Sequence, residues 1–155
     1  MLQWCDMNLF HLKSQTINMA LSLFPEDMMK SSGSEMTLEG IASKLTYFHE
    51  QLHLIHWQTT SYAEHQAVGS LYDQVHDFKD DVIEKLMGYM GKRPKAFKMQ
   101  PIMDTTSATA VVTELKGFAH ELMTWAEANQ YCDVENMAQD LSGKAAKTLY
   151  LLTLS

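Results

Sequence analysis

Residues 37–91 read TLEGIASKLTYFHEQLHLIHWQTTSYAEHQAVGSLYDQVHDFKDDVIEKLMGYMG, and this stretch decides the fold. Leu38, Ile41, Leu45, Phe48, Leu52 and Ile55 fall at alternating steps of three and four, which makes one buried stripe on an amphipathic helix. Thr37 stands where an N-cap is needed, and Glu39 lies in the first turn, where the helix dipole favours negative charge. Gln58, Thr59 and Thr60 interrupt the run. Ser61 and Glu64 have the spacing of a capping box, so a second helix is expected to begin there. Its stripe is Val68, Leu71, Val75, Phe78, Val82, Leu86 and Tyr89, ending near Gly88 and Gly91, where the left-handed conformation carries no Cβ penalty.

Downstream, residues 91–106 hold Pro94 and Pro101 and show no period. A connection of that length can run along a bundle and let the helices it joins be parallel. A third stripe follows at Val111, Leu115, Phe118, Leu122 and Trp125. After a short break at Asn129–Asp133, a fourth runs through Val134, Met137, Leu141, Ala145, Leu149 and Leu152, with Asp133 as its expected N-cap. Two short connections around one long one predict an all-α, ferritin-like four-helix bundle over residues 37–155, with one long crossover between helices 2 and 3. Residues 1–36 read as an N-terminal extension, closed by a linker at Ser31, Ser32, Gly33 and Ser34.

The chain has 155 residues, enough for one domain with its own core. Its net charge of −7 argues against nucleic-acid binding through an overall field, because phosphate neutralisation needs clustered Lys and Arg. The one basic cluster, Lys92, Arg93, Lys95 and Lys98, reads as a solvated loop. Cys5 and Cys132 are far apart and neither belongs to a CxxC pair, which points away from a disulfide framework or thiolate zinc site. No apolar run reaches the roughly 18 residues of a membrane span, and no basic stretch precedes a signal-type apolar core. A soluble, cytoplasmic protein with no membrane partner is expected. The twelve methionines are scattered, as adaptable packing residues are.

The chemistry-bearing residues lie close together in the first two helices. Five of the seven histidines, His49, His53, His56, His65 and His76, fall between residues 49 and 76. At 100° per residue, His49, His53 and His56 lie within about 60° of one another beside the first core stripe. On the second helix His65 and His76 sit roughly 100–125° from the core direction, and Asp80 and Glu84 about 160° from it. Those two carboxylates therefore point out of the bundle, and a metal that used them would sit on its outer surface. Imidazole and carboxylate together suit iron, manganese or zinc. The plain alternative is that Asp80 and Glu84 are solvated surface residues and that each half-buried histidine is a packing group.

His56-Trp57, Tyr62-Ala63-Glu64-His65 and Asp80-Asp81-Val82-Ile83-Glu84-Lys85-Leu86 resemble the signature of the Dps-type mini-ferritins. The steps from His65 to Asp80 and from Asp80 to Glu84 match that family, as does the break at Gly91-Lys92-Arg93-Pro94. The resemblance implies a ferroxidase centre at a two-fold subunit interface, with His56 and His65 of one chain facing Asp80 and Glu84 of another. It implies that Fe(II) is oxidised, mainly by hydrogen peroxide, and stored as a ferric mineral in a homo-oligomer, a hollow dodecamer in that family. Such a protein protects against oxidative stress. Eight residues separate His56 from His65 here, where the family usually has about eleven. His53 and His76 are accordingly named as additional or substitute ligands. Two other readings stay open. One is a di-metal site inside a single bundle, since Glu50/His53 and Asp73/His76 mimic its spacing, with Glu114, His120 and Glu121 on the third helix. The other is a non-enzymatic assembly or interaction protein with the same fold.

Overall fold

A computed structural model describes residues 36–104 and 107–154. Those residues form four α-helices and no strand: α1 (Leu38–Gln58), α2 (Tyr62–Met90), α3 (Ala108–Ala128) and α4 (Cys132–Leu152). Apart from Met36, the N-terminal extension expected at 1–36 lies outside the described residues. None of the four helices is long and apolar enough to cross a membrane.

Local chemistry explains the helix ends. Thr37 caps α1, its Oγ1 accepting from the Gly40 N–H at 3.0 Å. Ser61 caps α2 by accepting from the Glu64 N–H at 3.3 Å. The expected capping box is only half built, because the Ser61 N–H donates to Thr59 Oγ1 at 3.2 Å and not to Glu64. Gly91 ends α2 with φ +62°, its N–H donating to the Met87 carbonyl, whereas Gly88 lies inside the helix. Asp133 does not cap α4. Tyr131 holds that position and Asp133 stands in the first turn, where the dipole still favours its charge and where it accepts a hydrogen bond from the Tyr89 hydroxyl and forms an ion pair with Lys85. The cap shifts two residues toward the N-terminus because Gln130 takes a left-handed φ of +62° and reverses the chain there.

The four stripes meet in one core. α1 packs along α2, α3 along α4, α2 against α4 and α1 against α3, so each helix has two neighbours, as in a four-helix bundle. Phe48 is fully buried near the middle, 5.3 Å from the Tyr47 ring and 5.8 Å from that of Phe118. On α4 the buried face is rotated slightly from the expected stripe. Ala138, Ser142 and Thr148 are buried with Val134, Leu141 and Ala145, while Met137, Leu149 and Leu152 are only half-buried. Small residues there let α4 approach its neighbours closely.

The segment after α2 lies along α1. Lys95 N–H donates to Glu39 Oε1, the Ser43 hydroxyl to the Lys98 carbonyl, and Gln58 Nε2 to Asp104 Oδ1. Between them Gln51, fully buried, donates to the Met103 carbonyl at 3.0 Å and accepts from its N–H at 2.8 Å. A buried amide is stable only with its donors and acceptors paired, and one peptide unit satisfies both here. The partners on α1 advance from residue 39 to 58 as the segment runs from 95 to 104. Its basic residues Lys92, Arg93, Lys95 and Lys98 are exposed, as a solvated loop requires.

Candidate metal centre

The helical period brings His49, His53 and His56 to one side of α1, each half-buried at the seam with α2. From the facing helix His65, Gly69, Tyr72 and His76 follow the same seam at steps of four, three and four. The rings form a continuous row. His76 lies 5.2 Å from His49, His49 lies 5.8 Å from His53 and 5.9 Å from Tyr72, His53 stacks on Tyr72 at 4.4 Å, and His56 stacks on His65 at 3.8 Å. Trp57 is largely exposed but leans on His53 at 4.0 Å, so that imidazole is sandwiched between two larger rings.

His56 and His65 clasp each other through the backbone. His56 Nδ1 lies 3.0 Å from the His65 carbonyl, and His65 Nδ1 lies 2.9 Å from the His56 carbonyl. A carbonyl oxygen can only accept, so each ring carries a proton on Nδ1, and it is the Nε2 atom that offers a lone pair in the neutral imidazole. The same arrangement, a ring N–H held by a backbone carbonyl, orients metal-ligating histidines. No hydrogen bond engages either Nε2 among the described residues, and an open depression lined by His56, His65, Gln66, Gly69, Tyr72 and Asp73 lies beside them. Gly69 makes room for this pair. A Cβ there would sit 2.9 Å from His56 Cε1 and 3.0 Å from its Nδ1.

Stacking limits what the pair does by itself. The two ring planes are 20° from parallel, and a lone pair lies in its ring plane. Lone pairs in nearly parallel planes 3.8 Å apart do not meet at one ion about 2 Å from each nitrogen. Each imidazole can serve one ion, or one ring must turn for both to share it. Among the described residues no three His, Cys, Asp or Glu side chains are gathered around a point where a metal could sit.

Asp80 and Glu84 are exposed on the outer face of α2, where the helical count puts them. Asp80 is fifteen residues beyond His65, roughly 22 Å along a helix that rises 1.5 Å per residue. One chain therefore does not bring the four expected ligands together. His53 is held in the aromatic sandwich, and His76 is exposed one turn before Asp80.

Sequence reasoning groups His49 with the other histidines but does not assign it as a ligand. Its Nδ1 lies 3.0 Å from Glu50 Oε1, and burial lowers its pKa more than the Glu50 carboxylate raises it, with Lys79 and His76 adding to the lowering. Neutral His49 with Nδ1–H donated to a carboxylate leaves Nε2 as a ligand. The Glu50-after-His49 neighbour was visible in the sequence, but the pairing with His76 needs the register of α1 on α2. The buried polar side chains among the described residues are Gln51, Ser142 and Thr148, so the bundle interior supplies no carboxylate there.

Residues 56–152 match the model of a family described as a family of unknown function, DUF5856. The match covers more than half of the chain, and the protein belongs to that family. No curated protein and no solved structure matches it.

Proposed function

We propose that this DUF5856 family member is an iron-binding, iron-oxidising protein of mini-ferritin type, with a ferritin-like bundle topology and a long crossover between α2 and α3. Its metal site would form across a two-fold axis, His56 and His65 of one chain facing Asp80 and Glu84 of a second. The observation that carries this reading is the combination of two imidazoles with Nε2 left open and two carboxylates exposed on α2, roughly 22 and 28 Å beyond His65. Antiparallel docking of two α2 helices about a point near Asp73 and Gln74 cancels that offset at both ends, as an isologous interface does. The exposed face there also carries Asp77 and Asp81. Like charges facing one another across the axis favour a bound cation.

In such a site imidazole and carboxylate hold Fe(II) while leaving positions for an oxidant. Each ferrous ion gives one electron and hydrogen peroxide takes two, its O–O bond breaking to water or hydroxide. Hydrolysis of Fe(III) releases protons to solvent. Zinc or manganese would occupy the same ligands without this turnover. Among the described residues the bundle interior offers no carboxylate for a di-metal site within one chain. The stacked His56–His65 pair favours a second reading, a non-enzymatic assembly protein in which the clasp only joins two helix ends.

Mixing two inactive variants separates these readings. His56→Ala/His65→Ala and Asp80→Ala/Glu84→Ala should each lose the ferric absorbance that develops on adding Fe(II) with peroxide. Random re-pairing of the two should restore about a quarter of the wild-type sites, because each mixed dimer holds one intact set. No restoration refutes a shared site, and full activity in either variant refutes the ligand assignment.

A further inference from the structure

We propose that His49 and His76 form a second cation site, contained within one chain and clipping α1 to α2, that takes a borderline divalent ion such as zinc. The two rings come from facing helices, 5.2 Å apart between centres and inclined by 46°. Two imidazoles bound through nitrogen at ~2.0–2.1 Å to one tetrahedral ion have ring centres roughly 5 Å apart. The His56–His65 stack lacks this relation, since its planes are 20° apart.

Three features prepare His49 as a ligand. Its side chain is 14% exposed, so little motion is left to lose. Its Nδ1–H is held by Glu50 Oε1 at 3.0 Å, and a carboxylate behind an imidazole both sets the tautomer and raises its basicity toward a metal. Burial disfavours the imidazolium, which would compete with the ion. His76 is exposed, and its approach is open to water molecules that complete the coordination. Lys79 is the opposing charge near His49, and Glu50 offsets it. Asp73 and Asp80 lie three residues before and four after His76, on its side of α2, and favour a cation. His53 is kept out of the set by its sandwich between Trp57 and Tyr72. Imidazole nitrogen selects zinc, nickel or copper over magnesium and calcium, which prefer oxygen.

Zinc chloride titrated into the full chain carrying His56→Gln and His65→Gln, against a chromophoric chelator, tests this site without the interface histidines. Uptake of one zinc per chain is expected, with a rise in unfolding temperature because the ion binds only where two helices are packed. His76→Gln, a surface change that leaves the fold intact, should weaken zinc at least ~10-fold and abolish the thermal shift. Glu50→Gln should weaken it by roughly 10-fold through the ligand it orients. Zinc uptake unchanged by His76→Gln, or absent from the His56→Gln/His65→Gln chain at 100 µM, overturns the proposal. Neither result bears on His56 and His65, the imidazole half of the shared iron site, which the tested chain lacks.

Discussion

Replacing Gly69 by alanine tests whether the His56 ring is held where the structure puts it. Glycine in a helix interior is less stable than alanine by about 0.5–1 kcal/mol, so the exchange ordinarily stabilises. At Gly117 and Gly143 an added Cβ meets nothing within 4 Å, and alanine there should gain about that amount. At Gly69 the same atom falls 2.9 Å from His56 Cε1. The ring cannot give way without stretching its bond to the His65 carbonyl and leaving the His65 ring. The bond contributes about 1 kcal/mol and the stack about 0.5–1.5 kcal/mol, against a helix gain of at most about 1 kcal/mol. Gly69→Ala should therefore be about 1 kcal/mol less stable than wild type and about 2 kcal/mol less stable than Gly117→Ala. At a slope of about 2 kcal/mol/M, their urea midpoints followed by circular dichroism separate by about 1 M. If Gly69→Ala is stabilised as much as Gly117→Ala with the same slope, the ring is not held, and the tautomer argument for two open Nε2 atoms loses its basis.

Three further outcomes follow from the same structure. Gln51→Ala removes both hydrogen bonds to the Met103 peptide and should cost about 1–3 kcal/mol, with faster hydrogen exchange at the Met103 amide. His49 is held below its ordinary 6.5 chiefly by burial, so the unfolded chain binds its proton more readily. Stability should be fully present above about pH 6.5, the unfolded value, and fall as pH drops toward the depressed native one. Urea midpoints measured from pH 7.5 to 5 should fall less steeply in His49→Gln, and an equal slope refutes the assignment. Gln130→Gly relieves a left-handed φ of +62° at an exposed loop position and should gain about 1 kcal/mol in thermal or urea unfolding; a loss of stability refutes it.

Among the described residues the number and order of the helices were legible because each depends on neighbours three or four residues away. Thr37, Ser61 and Gly91 cap where their chemistry predicts. Asp133 does not, because an acidic residue is favourable both at an N-cap and in the first turn, and only the backbone reversal at Gln130 chooses between them. The α4 stripe was read too far toward its large residues, since Ala138 and Ser142 are buried by the closeness of the neighbouring helices and not by their own hydrophobicity.

The candidate site divides the same way. The sequence by itself determined that Asp80 and Glu84 face outward and that His49, His53 and His56 share one side of α1, because both follow from a fixed rotation per residue. Only the tertiary structure decided that His56 clasps His65, that His49 meets His76, and that Gly69 leaves room for an imidazole. Those contacts depend on the register of α1 against α2, which the packing of the whole core sets. A shift of one helical turn, about 5.4 Å, would keep every helix and every outward-facing carboxylate while pairing different histidines.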